Sequence, residues 1–89
     1  MGSEVLAYRD AVAVAKSDTV NDTNGPFAGI YVGDISGGAT LVVDVDLGGS
    51  VASRTFTNVL AGVIIPIRCV RVHSTGTTAG NLLGMKAAT

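Results

Sequence analysis

The 89-residue sequence predicts an all-β fold, a small antiparallel β-sandwich (or small barrel) of six to seven short strands. Three observations carry that expectation. β-Branched and aromatic residues gather in short runs. Glycine-rich turn signals recur about every ten residues. One run, residues 39–47, alternates apolar and acidic side chains with the period of a strand.

In chain order, residues 11–16 place Val12 and Val14 among alanines and read as a first strand. A helix over 4–15 also fits, because Val5, Tyr8, Val12 and Ala15 recur at helical spacing; the β-branched residues favour the strand. Residues 17–26 are polar and run into Gly25-Pro26, which predicts a loop. Residues 27–32 read as a strand closed by Gly33, with a turn over 34–38. In 39–47, Leu41, Val43, Val45 and Leu47 share one face, and Asp44 and Asp46 are expected to face solvent on the other. Gly48-Gly49 turns the chain into a strand over 51–57, with Phe56 and Val59 expected in the core and Gly33 and Gly62 at tight turns. The longest apolar run, 63–73, reads as one strand whose parity changes: Val63, Ile65, Ile67 and Cys69 share a face, whereas Val70 and Val72 do not continue it. Unbroken pleating would bury Arg71, so a β-bulge or sharp bend near Cys69-Val70 is expected to turn Arg68 and Arg71 outward. Pro66, lacking an amide hydrogen, marks an edge or a break. A Thr/Gly loop over 74–80 precedes a closing strand over 81–86. The chain thus divides into an arm (1–10), a single β domain (11–86) and a tail (87–89).

Composition bounds the function. Six basic and seven acidic residues give a net charge of −1, and only 15% of the chain is charged against 47% apolar. A small soluble domain usually carries charge on roughly 25–35% of its surface. Part of this surface is therefore expected to be covered, by copies of the chain or by a larger partner. The near-neutral balance argues against a nucleic-acid partner, and no apolar run approaches the length of a membrane span. Glu4, Arg9 and Asp10 interrupt any secretory signal, and Leu6 stands where Gly2 myristoylation wants Ser or Thr. Cys69 is the sole cysteine and reads as a buried small hydrophobe.

No catalytic, cofactor or metal site is expected. Asp44-Val45-Asp46 lacks the further oxygen ligands of a calcium loop, Gly48 and Thr55 standing in their places. Residues 33–38 match neither a P-loop nor a dinucleotide fingerprint. His73, the only histidine, reads as a strand-end residue facing solvent or a loop. Arg54, Arg68, Arg71 and Tyr31 are the interface candidates, arginine being suited to pairing with acids of a neighbouring subunit.

Ordered fragments add a resemblance. They are Ser17-Asp18-Thr19, Gly29-Ile30-Tyr31-Val32-Gly33, Phe56-Thr57-Asn58-Val59-Leu60-Ala61-Gly62, Ile65-Pro66-Ile67-Arg68 with Val70-Arg71-Val72, and Thr75-Gly76-Thr77-Thr78-Ala79-Gly80-Asn81. Over residues 17–83 the chain resembles the spike base proteins, small phage structural proteins that share an LYVG strand, an F-x-N-V-x-A-G-x-x-x-P-I-R-V-x-R-V segment and a TGTTA-x-N tail. Ile30 stands for the usual leucine, Cys69 for a valine, and residues 84–89 extend past the usual end. The resemblance implies a non-enzymatic bacteriophage virion protein, assembled in the host cytoplasm, that oligomerises and anchors neighbouring virion proteins as a head-associated spike base or capsid decoration module. A tail or fibre adaptor is the alternative. A carbohydrate-binding β-sandwich is disfavoured by the lack of tryptophan.

Overall fold

A computed structural model describes residues 8–87. The expectations for Gly2, Glu4 and Leu6, the start of the helical alternative and most of the arm and tail lie outside the described residues. Within 8–87 the chain forms seven strands and no helix: β1 (Tyr8–Ala13), β2 (Gly29–Val32), β3 (Leu41–Asp46), β4 (Val51–Phe56), β5 (Val63–Ile65), β6 (Cys69–Val72) and β7 (Leu83–Ala87). They pair antiparallel in two sheets, ordered β1-β7-β2-β5 and β4-β3-β6. The all-β expectation holds as an open two-sheet arrangement; no barrel closes.

Alternation decides what each sheet buries. Ile30 and Val32 of β2, Leu41, Val43 and Val45 of β3, and Cys69 and Val72 of β6 point inward and are buried, joined by Phe27, Ala79 and Leu82. Phe56 and Val59 pack against this core half-buried. Among the described residues no buried side-chain nitrogen or oxygen lacks a partner.

Three expectations need correction. The first strand begins and ends three residues before the 11–16 window, because β1 takes its register from β7, where Val12 faces Gly84 and Ala13 faces Leu83. The 63–73 run is two strands in different sheets. Pro66 cannot donate to a ladder, and the Ile67 amide folds back onto the Ile65 carbonyl at 2.9 Å, so β5 ends at the edge of one sheet and β6 starts in the other. Asp44 does not face solvent: it is 3% exposed, for reasons given below.

The bulge, by contrast, lies where the parity change placed it. Asp44 faces Arg71, but its neighbour Val45 faces Cys69, so Val70 is the extra residue. Cys69 and Val72 thereby both reach the core while Arg71 stays on the outer face.

The 17–26 loop is tied down along the outer edge of β6. Ser17 and Asp22 donate their amides to the carbonyls of Val72 and Val70, and Phe27 exchanges both backbone bonds with Cys69. Inside the loop, the Asp22 carboxylate accepts the amides of Ala15 and Asn24, and the Ser17 hydroxyl accepts those of Thr19 and Val20. Two residues after this exchange, β2 enters the other sheet, so Phe27 sits at the seam between sheets. Its ring lies on Gly84 of β7, where a Cβ would come 2.3 Å from the ring carbon Cε1. At the far end, Gly62 turns the chain into β5 with a φ of 82°, a conformation side chains resist.

Candidate functional site

The outer face of the β4-β3-β6 sheet carries a polar cluster built on Asp44. Its Oδ1 accepts the Ser53 hydroxyl from β4 at 2.7 Å and His73 Nε2 from the end of β6 at 2.7 Å. Its Oδ2 accepts Arg71 Nε at 2.7 Å and also the Nη2 of the same guanidinium. Arg71 and His73 stand two residues apart on one strand and so project to the same side, where the bulged register sets Arg71 opposite Asp44. His73 Nδ1 lies 3.5 Å from Asp18 of the 17–26 loop, and Asp18 accepts the Thr75 amide at 2.9 Å and hydroxyl at 2.7 Å. One end of the loop, the β6–β7 connection and three strands are thus joined through side chains.

These contacts explain the burial of Asp44 and its acidity. Burial alone would raise its pKa; the hydrogen bonds from Ser53, His73 and Arg71 outweigh that and hold it at about 2, against an ordinary 3.8. A folded-state value below the unfolded one stabilises the fold above the unfolded pKa and is lost as pH falls through the folded value. Stability is therefore expected to drop by about 2 kcal/mol between roughly pH 4 and pH 2 through this group. Urea titrations at stepped pH on the native protein and on Asp44→Asn check this: the variant's curve should be flatter over that interval. Asp18 is lowered by its Thr75 hydrogen bonds and Asp46 by Arg68, so both act in the same direction.

Serine, histidine and aspartate meet here without forming a nucleophilic relay. The Ser53 hydroxyl donates to Asp44, and His73 Nε2, 3.5 Å from Ser53 Oγ, presents its proton to the same carboxylate oxygen. Asp18 does stand near the other ring nitrogen, but a relay needs Nε2 free to take the serine proton, and here Asp44 holds it at 2.7 Å. The arrangement is an ion-pair network that clamps the sheet. Reading His73 as facing solvent or a loop therefore captures only its contact with Asp18 and misses Asp44. Among the described residues no group of three or more His, Cys, Asp or Glu is placed to hold a metal ion.

The four interface candidates are dispersed. Arg71 is engaged with Asp44. Arg68, its side chain 58% exposed, donates to Asp46 at 2.8 Å. Arg54 lies on β4 opposite Val43, on the core-side parity, yet is exposed, β4 being the edge strand of its sheet. Its Nη1 donates to the Ser53 carbonyl at 3.0 Å. The Leu47 amide bonds Ser50, so the alternation gives the backbone groups of Ala52, Arg54 and Phe56 to β3 and leaves those of Val51, Ser53 and Thr55 on the strand's outer edge. Tyr31 stands apart on the other sheet, flanked by Leu83 and Ile64.

Cys69 is buried, and burial, with Asp22 nearby, pushes its thiol up to about 12. It should resist an aromatic disulfide reagent at pH 8 in the native protein and react at once when denatured; a fast native reaction would contradict this placement.

The described domain is thus two antiparallel sheets whose polar cluster ties strands and a loop together. Comparison with family models gave no match, and comparison with curated proteins likewise gave none. Among solved structures, 90% of the chain aligns with 84% of a chain in one described as the capsid of a native GTA particle computed with C5 symmetry, at 32% identity and a TM-score of 0.71. The chain belongs to the same family as that GTA capsid chain.

Proposed function

We propose that this protein is a non-enzymatic structural component of a phage-like particle, serving as a head-associated spike base or decoration module that oligomerises and anchors neighbouring virion proteins. The supporting observation is the relationship to a GTA capsid chain across nearly the whole domain. The chemistry agrees: the titratable cluster is closed on itself, and low charge leaves surface suited to contact. Arg68 and Arg54, exposed on one sheet, and Tyr31 on the other are the proposed contact residues, with Arg71 contributing through the part of its side chain that Asp44 leaves free. The test is direct. Purified particles should contain the protein at fixed copy number, seen by mass spectrometry and as density on the head in an electron-microscopy map. Its absence from washed particles would sink the reading, and density on the tail would replace the spike base with an adaptor.

A further inference from the structure

The two sheets present opposite chemistries to the outside. In the β1-β7-β2-β5 sheet, Ile30, Val32 and Gly84 define the inward parity, so the register turns Ala11, Ala13, Tyr31, Ile64, Leu83 and Met85 outward. All are half-buried or exposed, none is charged, and no described element packs over them. Ile64 Cγ2 and the Tyr8 hydroxyl lie 3.0 and 3.5 Å from where a Gly29 Cβ would be, so these two side chains lean across Gly29 and make the surface continuous. The described charged residues of this sheet lie at one end of the β1–β7 ladder, where Asp10 and Lys86 pair on the parity of Val12 and Gly84 and so point away from this face; Lys86 donates to the Asn24 carbonyl. The result is an apolar face with no charge across its centre, the composition of an interface core.

We propose that this face is a self-association surface on which a second copy of the chain packs, sheet against sheet. Charge selects the occupant. Laying the other sheet of a neighbouring copy on this face would bury Arg68, Asp46 and the Asp44 cluster against apolar side chains, which is costly for ions gaining no new partner. Meeting its own copy across a two-fold axis, the face lays apolar side chains on apolar side chains and buries no charge. The geometry is the one used inside each molecule, two twisted sheets about 10 Å apart. Area permits it: a stable pair needs about 800 Å² from each partner, about a sixth of the 4945 Å² the molecule exposes, and its longer dimensions are 41 and 29 Å.

This inference deepens the reading as an oligomerising particle protein, and its test separates the two. Sedimentation velocity of the full chain from 1 to 200 µM should show mass rising from one copy to two. Met85→Lys and Ala11→Lys, each placing a charge on the face, should weaken the association at least tenfold while circular dichroism shows a folded sandwich. Thr55→Lys, on the opposite sheet, should leave association unchanged. A wild type that remains monomeric at 200 µM, or a dimer indifferent to both face variants, overturns the proposal. So does a monomeric wild type whose Met85→Lys variant alone is lost from particles, because a different virion protein then occupies the face. Absence of the wild type from particles strikes the virion reading and leaves the association result standing.

Discussion

Replacing Gly84 with alanine should cost about 3 kcal/mol or more, a large share of the stability of a domain this small. Gly84 lies within the β1-β7-β2-β5 sheet, opposite both Val12 and Ile30, and the Phe27 ring covers its Cα. An added methyl would sit 2.3 to 2.6 Å from three ring carbons, closer than atoms can approach. The ring has little freedom to retreat, since Phe27 is fully buried and its backbone is bonded to Cys69 on the other sheet. Relief would have to come from shifting β7 or separating the sheets. Guanidinium denaturation measures the loss. A companion change tests the cause: Phe27→Leu in the Gly84→Ala background should recover part of it, although Phe27→Leu alone destabilises. A Gly84→Ala protein of native stability would show that the ring does not rest on that glycine.

The second large effect is expected at Asp44. Asp44→Asn keeps the shape but leaves Arg71, its side chain 19% exposed, without its counter-charge and puts an amide before the His73 proton. Removing one partner of a largely buried pair typically costs about 3–5 kcal/mol, so a loss of about 3 kcal/mol is expected. The sheet supplies an internal control in Asp46, which makes the same kind of bond to an arginine in the open. Asp46→Asn should cost under about 1 kcal/mol. Equal losses from the two variants would mean that burial is not what sets the strength of the Asp44 cluster.

These cases show what could be read from the chain. Alternation in 39–47 assigned Leu41, Val43 and Val45 to the core, although Leu47, past the end of β3, is exposed, and the parity change after Cys69 located the bulge at Val70, because both are properties of consecutive residues. The burial of Asp44 was not legible: its outward parity was correct, but Ser53, Arg71 and His73 reach it from two other strands. The available signal was an arginine and a histidine two residues apart in a strand, a pair that calls for an acid on the strand beside it. The split at Pro66 was half legible. Proline announced a break, yet which sheet each half joined depended on pairing with β2 and β3, distant in sequence. The apolar outer face was legible only as a shortage of charge, since the residues forming it come from four separate segments.

The bond from Arg54 to the Ser53 carbonyl has a bearing on colloidal behaviour. On the proposed reading the protein is gathered in many copies on a particle, at a local concentration where an open strand edge invites runaway pairing. An incoming strand would need the carbonyl that the guanidinium already occupies, and would have to displace a charged, hydrated group before gaining its first bond. Along the other side of that sheet, the 17–26 loop has taken the β6 carbonyls. That sheet is therefore guarded at both margins, so crowding cannot readily extend it strand by strand.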